Sequence, residues 1–193
     1  MLHLQLPTEP AWADLALRNL EDILVDHLYC EQKAASNAIS MIVRYPERTE
    51  LVDTLAEVVA EEWEHYRRVL AEIRKRGFTV GPQRVDEYAV RLLKFERKGE
   101  RDKQLLDKLL VCAIIEARSC ERFKVLSQSV QDAELSAFYR ELMESEAGHY
   151  TTFTDLARVY YPAQEVADRL QACVALEKEI VEALTPMAGR IHQ

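Results

Sequence analysis

Residues 61–66 read Glu-Glu-Trp-Glu-His-Tyr, and residues 144–150 read Glu-Ser-Glu-Ala-Gly-His-Tyr. Both stretches contain the pattern Glu-x-x-His followed by a tyrosine. Because residues three apart share one face of an α-helix, each pattern places a carboxylate beside an imidazole. One such pattern is common on helix surfaces, but its repetition within the chain indicates a site built from two similar halves.

A lone glutamate precedes each motif at nearly the same distance along the chain, Glu31 before the first motif and Glu116 before the second. The chain therefore predicts two helix pairs, each with one lone Glu and one Glu-x-x-His. Four helices with these residues pointing inward form the metal site of ferritin-like di-iron and di-manganese carboxylate proteins. No catalytic residue beyond the metal ligands is predicted. The predicted ligands are Glu31, Glu62, His65, Glu116, Glu146 and His149.

The four glutamates share helix faces with apolar side chains. Leu55, Val58 and Val69, for example, recur in phase with Glu62 at three- and four-residue steps. An ionised carboxylate on such a face costs several kcal/mol without a partner, and four buried carboxylates repel one another. We therefore expect a bound cation. Carboxylates and neutral imidazoles suit iron or manganese, and the donor types alone do not choose between these metals.

Apolar periodicity, together with proline and glycine, predicts five long helices and one insertion. The insertion spans residues 78–101 and is expected to contain a shorter helix at 85–97, and Pro186 is expected to close the last helix. The expected fold is an all-α, ferritin-like four-helix bundle with this inserted segment between helices 2 and 3 and an additional C-terminal helix, in a single domain over residues 1–193. The long helices are predicted at about 12–44, 49–76, 102–127, 133–160 and 163–184.

Composition limits the classes of protein to consider. A formal net charge of −8 argues against broad, non-specific binding of nucleic acid, but it leaves room for a local basic face. The four cysteines have no Cys-x-x-Cys spacing, so neither a zinc ribbon nor a thioredoxin-like motif is expected. The first ten residues do not read as a secretory signal, and the longest apolar run, residues 109–115, is too short to cross a bilayer. We expect a cytoplasmic protein with no membrane partner.

Over essentially its whole length the chain resembles the bacterial tRNA 2-methylthio-N6-isopentenyladenosine hydroxylases. The resemblance rests on residues 26–31 (Asp-His-Leu-Tyr-Cys-Glu), 61–66, 114–123 (Ile-Ile-Glu-Ala-Arg-Ser-Cys-Glu-Arg-Phe) and 144–150. It implies a di-iron monooxygenase that uses dioxygen and two electrons from an external reductase. The implied reaction adds a hydroxyl to the isopentenyl group of the modified adenosine beside the anticodon of tRNA.

The resemblance also implies roles for the ligands. In similar di-iron oxygenases the Glu of each Glu-x-x-His bridges the two metals, which here implies bridging by Glu62 and Glu146. Glu31 with His65 then completes one iron. The other iron is completed by the second lone glutamate and the second motif's histidine, Glu116 and His149.

Two residues are candidates for outer hydrogen-bond partners of the ligands. In related oxygenases the acid just before the motif's Glu often accepts the second N–H of a ligating histidine. Glu61 holds this position in the first motif, whereas Ser145 holds it in the second. His27, one turn before Glu31, also faces the core. A solvated surface position for Glu61 remains open, as do a place in the substrate pocket and an ordinary core-packing role for His27.

Basic residues at the end of the second helix and in the insertion are candidate contacts to tRNA phosphates. For the basic residues of the insertion, an ordinary solvated face is the alternative, because acidic residues are interleaved with them. Three competing functions remain: a ferritin-like iron oxidase or storage protein, a peroxidase, and a non-enzymatic helical partner protein without metal. The candidate tRNA contacts are Arg67, Arg68, Arg74, Lys75, Arg76, Lys94, Arg97 and Lys98.

Overall fold

The computed structural model describes residues 2–185, 187 and 189–192, and these residues form α-helices and one 3₁₀ turn but no β-strand. No helix in this described part of the chain is long and apolar enough to cross a membrane. Pro186, expected to close the last helix, lies outside the described residues. The helices are α1 (Pro10–Arg18), α2 (Leu20–Arg44), α3 (Thr49–Lys75), α4 (Glu87–Leu92), α5 (Arg101–Ser129), α6 (Ala133–Tyr160) and α7 (Ala163–Ala183).

The chain divides into two compact units. Unit 1 comprises Met1–Asp14, Val85–Met187 and His192–Gln193, and unit 2 comprises Leu15–Arg84 and Ala188–Ile191. Each unit contains one of the two predicted helix pairs, α5 with α6 in unit 1 and α2 with α3 in unit 2. The expectation of a single domain over the whole chain stays a prediction.

The prediction of a single helix at 12–44 is wrong, because the structure has two helices there, α1 and α2, which are separated at Asn19. The backbone of Asn19 is non-helical, with φ −127° and ψ 42°. Its side-chain amide donates a hydrogen bond to the carbonyl of Leu15 at 2.8 Å. Asparagine side chains bond to nearby backbone in this way and so compete with the helix, which explains a break at a position without proline or glycine.

In unit 2 a glycine follows the last turn of α3. Gly77 has φ 71°, a left-handed conformation that glycine adopts without steric cost. Its N–H donates to the carbonyl of Arg74 at 3.0 Å, and the N–H of Phe78 donates to the carbonyl of Ile73 at 3.0 Å. These two bonds form a Schellman motif, which satisfies carbonyls that the helix end leaves without partners. The end of α3 is therefore fixed close to the predicted position.

Residues 85–101 of the insertion belong to unit 1, residues 78–84 belong to unit 2, and the insertion contains less helix than predicted. Instead of one helix at 85–97 it has the six-residue α4 followed by a 3₁₀ turn, Leu93–Phe95. Asp86 caps α4 by accepting a hydrogen bond from the N–H of Ala89 at 3.0 Å. After the turn, Arg97 holds the chain against α5: its backbone N–H and its guanidinium both donate to the buried carboxylate of Asp107, at 2.8 and 2.9 Å.

A buried ion pair joins α5 to α7 inside unit 1. Both Arg118 and Glu177 have fully buried side chains. The Nε and Nη2 atoms of Arg118 donate to Glu177 Oε1 at 2.8 and 2.6 Å, and the hydroxyl of Tyr88 donates to the same oxygen at 3.3 Å. Burial, reinforced by the charge of Glu177, raises the pKa of Tyr88 well above its ordinary value, so this tyrosine stays protonated as a donor.

Replacing Glu177 with alanine should destabilise the protein by about 2–3 kcal/mol, because the Nε and Nη2 donors of Arg118 lose their buried acceptor while Nη1 keeps the carboxylate of Glu121. Urea unfolding followed by circular dichroism measures this loss. Glu182→Ala on the same helix is the matched control: its exposed carboxylate lies 3.8 Å from Lys178, and its removal should cost less than about 1 kcal/mol. Equal effects of the two substitutions would contradict a structural role for the buried pair.

Candidate metal centre

Unit 2 brings three of the predicted ligands together. Glu31 comes from α2, and Glu62 and His65 come from one face of α3; their exposed fractions are 4%, 1% and 6%. One ligand atom from each residue lies within 4.8 Å of the other two. His65 Nδ1 lies 3.6 Å from Glu31 Oε2 and 3.8 Å from Glu62 Oε2. The helix pair therefore forms a buried triad of two carboxylates and one imidazole.

Unit 1 contains an equivalent triad. Glu116 comes from α5, and Glu146 and His149 come from one face of α6; all three side chains are buried. One ligand atom from each again lies within 4.8 Å of the other two. His149 Nδ1 lies 3.3 Å from Glu146 Oε2. The repeated sequence pattern is thus matched by a repeated local geometry.

The apolar faces predicted around the glutamates are present and explain this burial. In unit 2, Leu24, Leu28 and Leu55 are fully buried beside the triad's helix faces, and in unit 1 Ala113 and Leu142 are. Water that would otherwise solvate the carboxylates is displaced by hydrocarbon. A desolvated triad of this composition is unfavourable in the absence of positive charge, and it offers the oxygen and nitrogen donors that iron and manganese bind. The donor set of each triad is therefore compatible with such a metal.

His27 makes a close contact with the triad of unit 2, which is the first triad along the chain. It is fully buried, and its Nε2 lies 2.5 Å from Glu31 Oε1, one helical turn away. An N–H at this nitrogen donates to the carboxylate and fixes its orientation, which is the usual contribution of groups just outside a metal site. Glu61, the other candidate partner, is exposed on α3, and its suggested role stays a prediction.

The tyrosine after the second motif has a partner that the sequence pattern did not predict. The Tyr150 hydroxyl lies 2.6 Å from His3 Nδ1, and the two rings stack with their centroids 6.0 Å apart. Burial raises the pKa of Tyr150 from its ordinary value. A protonated phenol packed on the amino-terminal segment indicates a structural role for this residue.

The candidate tRNA contacts fall into two groups. Arg76 and Arg97 are already engaged, because Arg76 is ion-paired with Glu72 and only 13% exposed, and Arg97 is bonded to buried Asp107. The others lie at or near the surface. Three of them line a groove of about 350 Å³ along α3, formed by Glu64, Arg67, Arg68, Leu70, Ala71 and Arg74. Lys75, Lys94 and Lys98 are exposed outside this groove.

Comparison with solved structures identifies the class of protein. The chain is similar to a Synechococcus structure named "Protein 43 with aldehyde deformylating oxygenase activity", with a TM-score of 0.93 and 34% sequence identity. The likeness covers 98% of this chain and 95% of the other. The expected all-α, ferritin-like fold is therefore confirmed.

Sequence comparison narrows the class to one family. The family model described as tRNA-(MS[2]IO[6]A)-hydroxylase (MiaE) matches residues 1–193, and the chain belongs to this family. It is 38% identical, over 92% of this chain and 85% of the relative, to the tRNA 2-(methylsulfanyl)-N(6)-isopentenyladenosine(37) hydroxylase of Pseudomonas putida. Identity to the protein of the same name from Salmonella typhimurium is 28%, over 92% of this chain and 83% of the relative. The resemblance drawn from the motifs is confirmed.

Metal binding should be measurable as stabilisation. Adding Fe(II) to the metal-free protein under anaerobic conditions should raise Tm by about 5–10 °C, because a ligand at 100 times its Kd stabilises the folded state by about 2.7 kcal/mol. Glu146→Ala should abolish most of this increase by removing a ligand. Glu144→Ala, at an exposed position on the same helix, is the control and should retain it. An equal rise in Tm for all three proteins would exclude Glu146 as a ligand.

Proposed function

We propose that this protein is a non-haem di-iron monooxygenase that hydroxylates the isopentenyl group of 2-methylthio-N6-isopentenyladenosine beside the anticodon of tRNA. The observation that carries the proposal is a buried Glu, Glu, His triad in each unit of a chain that belongs to a hydroxylase family. The reaction consumes dioxygen, two electrons and two protons, and it yields the alcohol and one water. An external reductase supplies the electrons, and we place the enzyme in the cytoplasm.

We propose that the six ligand residues hold two iron ions. By the resemblance to similar oxygenases, Glu62 and Glu146 would be the ligands shared by both metals. Glu31 with His65 would complete the ligands of one iron, and Glu116 with His149 those of the other. When bound, the irons supply the activation of dioxygen that insertion of an oxygen atom into a carbon–hydrogen bond requires.

The protein's own residues have three tasks in this scheme. Both motif histidines direct Nδ1 at a neighbouring carboxylate, so Nδ1 is the nitrogen that we assign to the metal. The His27 hydrogen bond holds the Glu31 carboxylate in one orientation. Apolar side chains along the triad-bearing helices exclude water, which would otherwise compete with the substrate for the oxidant.

For tRNA, we propose that exposed cations on α3 and in the insertion contact phosphates. Arg67, Arg68 and Arg74 lie along one groove, and phosphate contacts from such residues supply most of the sequence-independent affinity for a nucleic acid. Lys75, exposed at the same end of α3, extends this group. Arg76 and Arg97 contribute mainly to the fold, because their acidic partners are largely buried, whereas Glu64, the partner of Arg67, is more than half exposed.

Iron-loaded, reduced protein should add one oxygen atom to the prenylated adenosine when it is given dioxygen and tRNA from cells that lack the hydroxylase. Mass spectrometry of the digested nucleosides measures the gain. Glu62→Ala should abolish the product, whereas Glu57→Ala, at an exposed position on the same helix, should retain it. No product from protein that holds two irons and has an electron donor would favour the iron oxidase, storage or peroxidase alternatives.

Reversing the charge of Arg74 and Lys75 together should weaken tRNA binding and lower the slope of log affinity against log salt by about one for each phosphate that is no longer neutralised. Filter binding over a series of salt concentrations measures both changes. Lys124→Glu, at an exposed position on α5, is the control for a change in overall charge. Binding that is unchanged in the double variant would remove this end of α3 from the interface.

A further inference from the structure

An exposed aromatic pair lies next to the ligands on α3. Trp63 is 48% exposed, and its ring stacks on that of Tyr66 with centroids 4.6 Å apart and an interplanar angle of only 8°. Trp63 directly follows Glu62, and Tyr66 directly follows His65. The indole is therefore held in a fixed orientation by a neighbouring ring, while about half of its surface stays in water.

The same helix carries positive charge beside this pair. Arg67 lies one turn beyond Trp63, and the groove along α3 continues through Arg68 and Arg74. Arg67 is ion-paired with Glu64 at 2.8 Å, and both side chains are more than half exposed. Three arginines against one glutamate leave the groove net positive, although the chain as a whole has a charge of −8.

We infer that Trp63, backed by Tyr66, is a stacking platform for an unpaired base of the tRNA anticodon loop, and that the arginines of the α3 groove contact the adjoining phosphates. This inference rests on the proposed function. Proteins recognise single-stranded RNA by stacking its bases on aromatic side chains beside cations that follow the backbone. Exposed Trp63 next to a net positive groove supplies both elements on one helix.

The position of Trp63 indicates which nucleotide it contacts. Successive residues of an α-helix point about 100° apart, so Trp63 points roughly at right angles to Glu62 around the helix axis. A base on the platform thus lies beside the ligand face of α3 and not within it. We assign the platform to a nucleotide that neighbours the modified adenosine, which leaves the adenosine itself to the proposed metal site.

The chain contains two tryptophans, and this makes the stacking directly observable. Trp12 is buried, with the Arg122 guanidinium 4.2 Å above its ring, so Trp12→Phe leaves Trp63 as the only tryptophan, whose emission is read at an excitation wavelength that tyrosine does not absorb. A base stacked on an indole quenches its fluorescence. Titration with an anticodon-arm hairpin that carries the unhydroxylated adenosine should quench Trp63, with the same midpoint as binding measured by filter retention. In Trp63→Phe, the remaining Trp12 emission should change little.

Substitution provides an independent measurement. Trp63→Ala should weaken hairpin binding roughly 5- to 150-fold, as expected when one base no longer stacks, and Trp63→Phe should recover most of the affinity. Val43→Ala removes an apolar side chain that is 73% exposed on α2, and this variant should bind the hairpin as tightly as the wild-type protein does. The Fe(II)-induced rise in Tm should persist in Trp63→Ala, because no metal ligand changes.

The outcomes separate this inference from the function on which it rests. Hairpin that binds and is hydroxylated without quenching Trp63, together with unchanged affinity in Trp63→Ala, overturns the platform and leaves the hydroxylase assignment standing. Failure of the wild-type protein to bind or hydroxylate tRNA overturns both the platform and the hydroxylase assignment. Unchanged hairpin binding in Trp63→Ala with loss of reductase-supported turnover overturns the platform in favour of a docking surface for a protein.

Discussion

The desolvation of carboxylates inside apolar helix faces is the constraint on which the rest of this structure depends. In each unit two glutamates and a histidine are buried together, at exposed fractions of 6% or less. Burying carboxylates together costs free energy unless positive charge compensates them. Long helices place the donors at the required spacing, their apolar faces keep water away, and His27 orients Glu31 through a hydrogen bond.

One helix, α3, combines two kinds of chemistry on different faces. Glu62 and His65 point into the interior, whereas Trp63 and the arginines of the groove remain accessible. Helical geometry alone sets the angle between these faces, so a change in the length or phase of α3 alters both together.

Much of this fold follows from the apolar periodicity of the sequence and from the proline and glycine residues that end its helices. The bounds of α6 agree with the predicted range, and α3, α5 and α7 differ from theirs by one or two residues, because strong apolar periodicity meets clear stop signals there. The break at Asn19 lacks such a signal and depends on a local side-chain bond. The engagement of Arg97 by Asp107 and the pairing of Arg118 with Glu177 depend on tertiary contacts, which one sequence does not reveal. The exposure of Trp63 likewise required the structure, since a tryptophan at that position in a helix could equally have packed inward.

The local assembly of each triad has a consequence for how the chain is made. Glu31, Glu62 and His65 come from two consecutive helices joined by residues 45–48, so α2 and α3 supply all three donors. Contacts between near neighbours in sequence form fast, and domains begin to fold from the amino terminus during synthesis. The first triad can therefore assemble on the ribosome before the codons for Glu116 and His149 have been read. A nascent chain at that stage already carries three metal donors, and the other three follow only when α5 and α6 have been made.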